Sequence, residues 1–339
     1  MALAARALPQ GQRRQPVAIV TSGLENLLEV LEHDRTVPHA SLALLSGLEP
    51  EALAIFRQSW GDIPVKTRRQ VAAQLSDMAE DNALLDFGNV FLVCLEDEDS
   101  EVRLKAVSGL SLSEDRTCLS PLLRRLRDEP DEGVRATVAL ALGDFVLKAE
   151  FEQLPSSDAR RLENALTSVI ADAGEGLEVR RRAVEAISAF SGNKVQDIIR
   201  AAYHSPHLRM QASALHAMGR NCDPQWLPLL LTEMRSGEPE LRYEAAQACG
   251  EIEDQRAVPR LIELTRDQDS DVRRAAIEAL GHIGGDAAKR ALQGLAQDTS
   301  LAVRESAADA LELVRFDENP LVLTDGLDDG EDEDETEDQ

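Results

Sequence analysis

LRYEAAQACG (241–250), VRRAAIEALG (272–281) and VRESAADALE (303–312) are three copies of one ten-residue pattern. Working backwards, the same pattern returns as MQASALHAMG at 210, VRRRAVEAIS at 179, VRATVALALG at 134 and VRLKAVSGLS at 102. Weaker copies stand at 67 (TRRQVAAQLS) and 37 (VPHASLALLS). The first residues of the nine copies are Val37, Thr67, Val102, Val134, Val179, Met210, Leu241, Val272 and Val303, spaced 30, 35, 32, 45, 31, 31, 31 and 31. Self-similarity at such a period marks a repeat architecture.

Within each copy the periodicity is helical. Eight residues after the first come Leu45, Leu75, Leu110, Leu142, Ile187, Met218, Cys249, Leu280 and Leu311, apolar throughout. Four residues after it the side chain is small or β-branched, as in Ala183, Ala214, Ala245, Ala276 and Ala307. Positions 0, +4 and +8 share one face at 3.6 residues per turn. Alanines there let helices approach closely.

A further apolar-periodic segment precedes each copy, for example KVQDIIRAAYH (194–204), QWLPLLLTEMR (225–235) and AVPRLIELTRD (257–267). Short polar turns such as SGEP (236–239) and DQDS (267–270) separate the two segments. Asp34, Asp99, Asp131, Asp269 and Ser300 lie three residues before a copy, where a side-chain oxygen can cap orphan helix N–H groups. Pro239 falls at the first helical position, where its missing N–H costs nothing. The expected fold is all-α: nine helix–turn–helix units stacked into a solenoid. One pair cannot bury its apolar face alone, whereas a stack buries a continuous ribbon.

The run DSDVRRAAIEALG (269–281) resembles HEAT repeats, in particular the bacterial PBS-lyase HEAT-like class. The resemblance covers roughly residues 21–316 and is strongest from Val102 onward. It implies a right-handed superhelix whose second helices line a concave surface.

The domain reading is a disordered basic arm at 1–20, a solenoid over 21–316 with an insertion near 144–160, and a disordered acidic tail at 317–339. The 45-residue interval places that insertion, with DFVLKAEFEQL prolonging the second helix of its unit until Pro155. The tail holds twelve acids and no base, leaving 50 acids against 36 bases in residues 1–316. It is expected to solubilise the chain, with a basic partner as its other role. A net charge of −26 argues against a nucleic-acid partner, which calls for Lys/Arg patches. HEAT-like DNA glycosylases are disfavoured on the same ground. No apolar run reaches membrane-spanning length, so no membrane insertion is expected. Cys94, Cys118, Cys222 and Cys249 form no CxxC pair, which suits a reducing, cytoplasmic setting.

The sequence presents no catalytic constellation: no G-x-S-x-G, P-loop or G-x-G-x-x-G occurs. Some HEAT enzymes, resembling deoxyhypusine hydroxylase, bind two irons through His-Glu pairs, and this chain has no such dipeptide. His204, His207 and His216 are read as surface histidines, so neither metal nor cofactor is expected. Cys94 and Cys249 are read as buried small hydrophobes rather than nucleophiles.

Arg68, Arg103, Arg135, Arg180, Arg242, Arg273 and Arg304 follow the first residue of seven copies and are read as a structural ladder. Function is sought where units differ, on the arc +2, +3, +6 and +10 that a helical wheel turns outward. In units five to eight that arc holds Arg181, Arg182, Glu185, His216, Arg220, Tyr243, Gln247, Glu251, Arg274, Glu278 and His282. The expected function is a non-enzymatic scaffold binding a partner protein or peptide there, on the concave surface. A phycobilin lyase-like factor, assisting chromophore attachment to a phycobiliprotein, is the alternative that the resemblance supplies.

Overall fold

The structure is a computed structural model and describes residues 17–33, 38–113 and 115–318. Val37, Asp34, most of the basic arm and nearly all of the acidic tail lie outside the described residues. Contacts divide the chain into two compact units, Met1–Ser168 and Val169–Gln339. The described residues form helices and connecting turns, without a strand.

The N-terminal unit carries α1 (Val17–Glu32), α2 (His39–Leu42), α3 (Pro50–Ser59), α4 (Val65–Asp81), α5 (Gly88–Cys94), α6 (Ser100–Ser111), α7 (Leu119–Asp128) and α8 (Glu132–Glu150). Helix α9 (Ser156–Ala171) crosses the division. The C-terminal unit carries α10 (Leu177–Ile187), α11 (Asn193–Tyr203), α12 (Leu208–Asn221), α13 (Leu227–Glu233), α14 (Pro239–Ile252), α15 (Val258–Leu264), α16 (Ser270–Ile283), α17 (Gly285–Leu295) and α18 (Leu301–Glu318). The chain is an α-solenoid of paired helices. Even-numbered helices are the second helices, and α4–α6–α8 and α10–α12–α14–α16–α18 each pack in a row. Odd-numbered first helices flank them, as α5 on α6 and α15 on α16.

Burial follows the repeat. Every +8 residue is buried, from Leu45 to Leu311, and so is every +4 residue from Val71 to Ala307. Each buried Leu or Val contributes about 1.5–3 kcal/mol relative to exposure, so a core of aliphatics suffices. At the last unit Val303 is only half-buried, because no described repeat follows to cover it.

Two expectations need correction. The copy at 37 does not make a full second helix: α2 has four residues and passes into a 3-10 turn, Ala43–Leu45. Gly47, at φ +61°, then redirects the chain. The stretch taken as the basic arm also gives up its last residues to α1, which begins at Val17. The long interval behaves as a prolonged helix: α8 runs to Glu150, and Glu152 at φ +57° turns the chain before Pro155.

Caps fix where the second helices start. Asp99 accepts from the N–H groups of Glu101 and Val102, Asp131 from Val134, and Asp269 from Asp271 and Val272. An acid two residues earlier braces each cap. Asp97, Glu129, Asp267 and Asp298 accept the N–H of Asp99, Asp131, Asp269 and Ser300 at 2.8–3.1 Å.

The recurring arginine joins both parts of this device. Nη1 of Arg103 donates to the carbonyls of Asp97 and Glu98, both at 2.9 Å. Arg135, Arg242, Arg273 and Arg304 repeat the arrangement on carbonyls six and five residues back. Arg180 reaches the carbonyl of Ile170 and Arg68 that of Gly61. Carbonyls left over where the first helix ends thus gain donors. Three members also reach the bracing acid of the next unit: Arg68 to Asp97, Arg103 to Glu129 and Arg242 to Asp267. Glu129 is fully buried, and Arg103 holds it through two bonds of 2.6 and 2.8 Å. Such bidentate, charge-assisted pairs are the strong ones.

Candidate functional site

The outward arc of α10, α12, α14 and α16 is positioned by close contact between consecutive second helices. A Cβ on Gly219 would lie 2.7 Å from the backbone of Ala248, and one on Gly250 would lie 3.0 Å from that of Ala279. Gly281 meets Ala310 in the same way. The glycine at +9 of one unit therefore sits against the alanine at +7 of the next, and this contact turns +6 and +10 toward solvent.

The structure splits the sequence-derived residues into two groups. Arg181, Arg182 and Glu185 belong to a clamp at the α10 end. Glu185 is buried at 8% exposure, contrary to the wheel. Arg181 bonds Glu178 at 2.6 Å and Glu185 at 3.1 Å, and Arg182 bonds Glu185 at 2.7 Å. Ser213 on α12 donates to Glu185 at 2.5 Å, closing the clamp between two units. The +3 position is covered where its side chain is small, as Ser213 and Ala275 show, because the neighbouring helix lies over it.

Arg220, Glu251, Arg274 and His282 are exposed, and His216, Tyr243, Gln247 and Glu278 are half-buried. Arg274 pairs within its helix with Glu278 at 3.1 Å and Asp271 at 3.5 Å. His216 Nδ1 stands 3.7 Å from Glu244 on α14. Glu244 was missed by the sequence reading, although it occupies +3 and is the only acid there in units five to eight.

This cluster shapes the charge of the arc. The Glu244 carboxylate holds the His216 imidazole above its ordinary pKa against the effect of burial, with Glu185 and Glu251 adding to the pull. Although Glu251 as a residue is exposed, the protein packed around its carboxyl desolvates it and pushes its pKa up, opposed by His216, Arg220 and His282. The arc thus offers mixed charge, one tyrosine and two histidines, His216 and His282.

Among the described residues, no group of three or more His, Cys, Asp or Glu is arranged to hold a metal ion. Burial pushes the Cys249 thiol up to about 12 and the Cys94 thiol higher still, so neither forms a thiolate nucleophile near neutrality. No helix among the described residues is long and apolar enough to cross a membrane.

The family model described as HEAT repeats matches residues 89–154 and 227–312, and the chain contains HEAT repeats in these stretches. None of the curated proteins matches the chain. Among solved structures, human deoxyhypusine hydroxylase in complex with glycerol is similar at 22% identity. That match covers 88% of this chain and 98% of the other, with a TM-score of 0.35. The complex of CpcE and CpcF of phycocyanin lyase from Nostoc is similar at 19% identity, over 79% of this chain and 95% of that one, with a TM-score of 0.48.

Proposed function

We propose that this chain is a non-enzymatic scaffold that binds a partner protein or peptide across the outward arc of α12, α14 and α16. The observation that carries the reading is the contrast within the repeat. Core positions are nearly invariant, while +2, +6 and +10 vary in charge and include exposed Arg274, Arg220, Glu251 and His282. Tyr243 and the arginines are the side-chain types that anchor interfaces. Arg181, Arg182 and Glu185 serve the stack and frame the edge of the surface.

Simultaneous replacement of Arg220, Tyr243 and Arg274 by Ala tests the reading. The expected result is unchanged helicity by circular dichroism and loss of the proteins captured by the wild-type chain from its source cell. Undiminished capture rejects it. A phycobilin lyase-like role is separated by co-expression with a bilin and an apo-phycobiliprotein. The scaffold reading expects the acceptor to stay colourless.

A further inference from the structure

A second surface lies in the N-terminal unit. The interval from Thr67 to Val102 is 35 residues, four more than the regular 31. The structure spends the surplus on the connection between two repeats. Helix α4 runs to Asp81, and residues 82–87 form an irregular link before α5. That link is pinned in place. The Asp86 N–H donates to Ser46 Oγ at 2.9 Å, its carbonyl accepts from the Gly47 N–H at 2.7 Å, and Asn82 accepts from the Leu84 N–H at 3.0 Å.

Between this link and the ends of α4 and α6 opens a cleft of about 630 Å³. Its apolar lining includes Leu85, Phe91 and Leu112. Phe91 packs so tightly on Gly109 that a Cβ there would fall 2.3 Å from the ring. Leu112 is 51% exposed, an unusual state for a leucine at a built cleft. The described lining carries three acids, Glu80, Asp86 and Asp115, and no base. Arg116 neighbours Asp115 in sequence but stands outside the lining. Asp86 and Asp115 each accept a backbone N–H, from Gly88 and Thr117. The bonds from Thr117, its backbone N–H first, hold the Asp115 carboxyl below the usual carboxylate range, so it stays ionised.

An apolar floor within an acidic rim selects an occupant of complementary build. We propose that this cleft seats a short linear segment of a partner protein, one or two large apolar side chains flanked by Lys or Arg. The apolar groups cover Leu112 and Leu85, and the flanking cations meet Glu80, Asp86 and Asp115. The acids come from three separate elements, which favours an extended peptide over a compact small molecule.

Fluorescence anisotropy with the full chain tests this, using the labelled peptides Lys-Arg-Leu-Leu-Arg-Lys and Lys-Arg-Gly-Gly-Arg-Lys. The leucine peptide is expected to bind saturably, and the glycine peptide at least about tenfold more weakly, since covering a leucine is worth that much. Leu112→Ser, with unchanged helicity, is expected to weaken the leucine peptide at least about tenfold. Glu80→Lys, on the exposed end of α4, is expected to weaken it and to flatten its salt dependence. The triple substitution of Arg220, Tyr243 and Arg274 is expected to leave this binding intact, which separates the cleft from the arc. Equal affinity for the two peptides, or full affinity in Leu112→Ser, overturns the proposal. Binding of phenethylamine in place of the peptide overturns it in favour of a small-molecule site.

Discussion

Where the C-terminal unit sets Gly219, Gly250 and Gly281 against alanines of the next second helix, the N-terminal unit sets Gly109 beneath the ring of Phe91 on a first helix. The former repeats every 31 residues and brings backbones together along one row. The latter has intervals of 30, 35 and 32 and fills its wider gaps with Phe56, Trp60, Phe87, Phe91 and Phe145. The bracing acids follow the same division. Trp60 Nε1 donates to Asp97 at 2.6 Å, Arg68 lies over that carboxylate, and Glu129 is fully buried. In the C-terminal unit the equivalent acid, Asp267, keeps 10% exposure. Regular spacing yields a mainly aliphatic core, with Trp226 as a buried aromatic, and a variable polar arc. Irregular spacing yields an aromatic, ion-paired core and leaves Leu112 exposed beside the cleft; exposed apolar side chains occur in both units, as Leu140 and Leu147 on α8 and Leu301 and Phe316 on α18 show.

The largest expected difference lies in the ladder. Glu129→Ala strands the buried Arg103 and should cost about 3–5 kcal/mol in urea-induced unfolding. Asp267→Ala, at the equivalent and wetter place, should cost about 1.5–3 kcal/mol. Equal costs would mean that the two units do not differ in how they bury charge.

Helix approach comes next. Gly219→Val should destabilise by about 1–3 kcal/mol through overpacking against Ala248. Ser111→Val, at the corresponding +9 position of α6, should stay within about 0.5 kcal/mol. Thermal unfolding of both variants measures the contrast.

The smallest effect is pH-dependent. The folded pKa of His216 is raised chiefly by Glu244, with Glu185 and Glu251 contributing. Its share of stability is therefore fully present below the unfolded value of about 6.5 and is lost as pH rises through the folded value. With a side chain 39% exposed, that share is under about 1 kcal/mol. His216→Gln should lower the melting temperature at pH 6 and leave it unchanged at pH 9. A drop of equal size at both pH values would assign the histidine a packing role instead.

Much of this was legible in the residues. The second helices could be placed from the +4 and +8 pattern, because that pattern is the buried face itself. The copy at 37 misled, since its apolar spacing survives in a segment that supports only four helical residues before turning at Gly47. The arginine ladder was visible as a recurrence. Its main acceptors were not, because they are backbone carbonyls, which no side-chain pattern reveals. The bracing acids were available in the sequence as Asp97, Glu129, Asp267 and Asp298, always two residues before the cap. The wheel misplaced Glu185 because a single helix does not show that Ser213 of the next repeat lies over it. The cleft was foreshadowed only by a 35-residue interval, whose lining depends on three elements meeting in space.

Excision of one whole interval tests most directly whether each second helix grips the next through a 31-residue unit. Removing residues 241–271 joins Glu240 to Val272 and sets Gly219 of α12 against Ala279 of α16, repeating the native contact. The shortened chain should fold with the same helicity per residue and a cooperative melt. A chain that aggregates, or that melts without cooperativity, would contradict the stacked-repeat account.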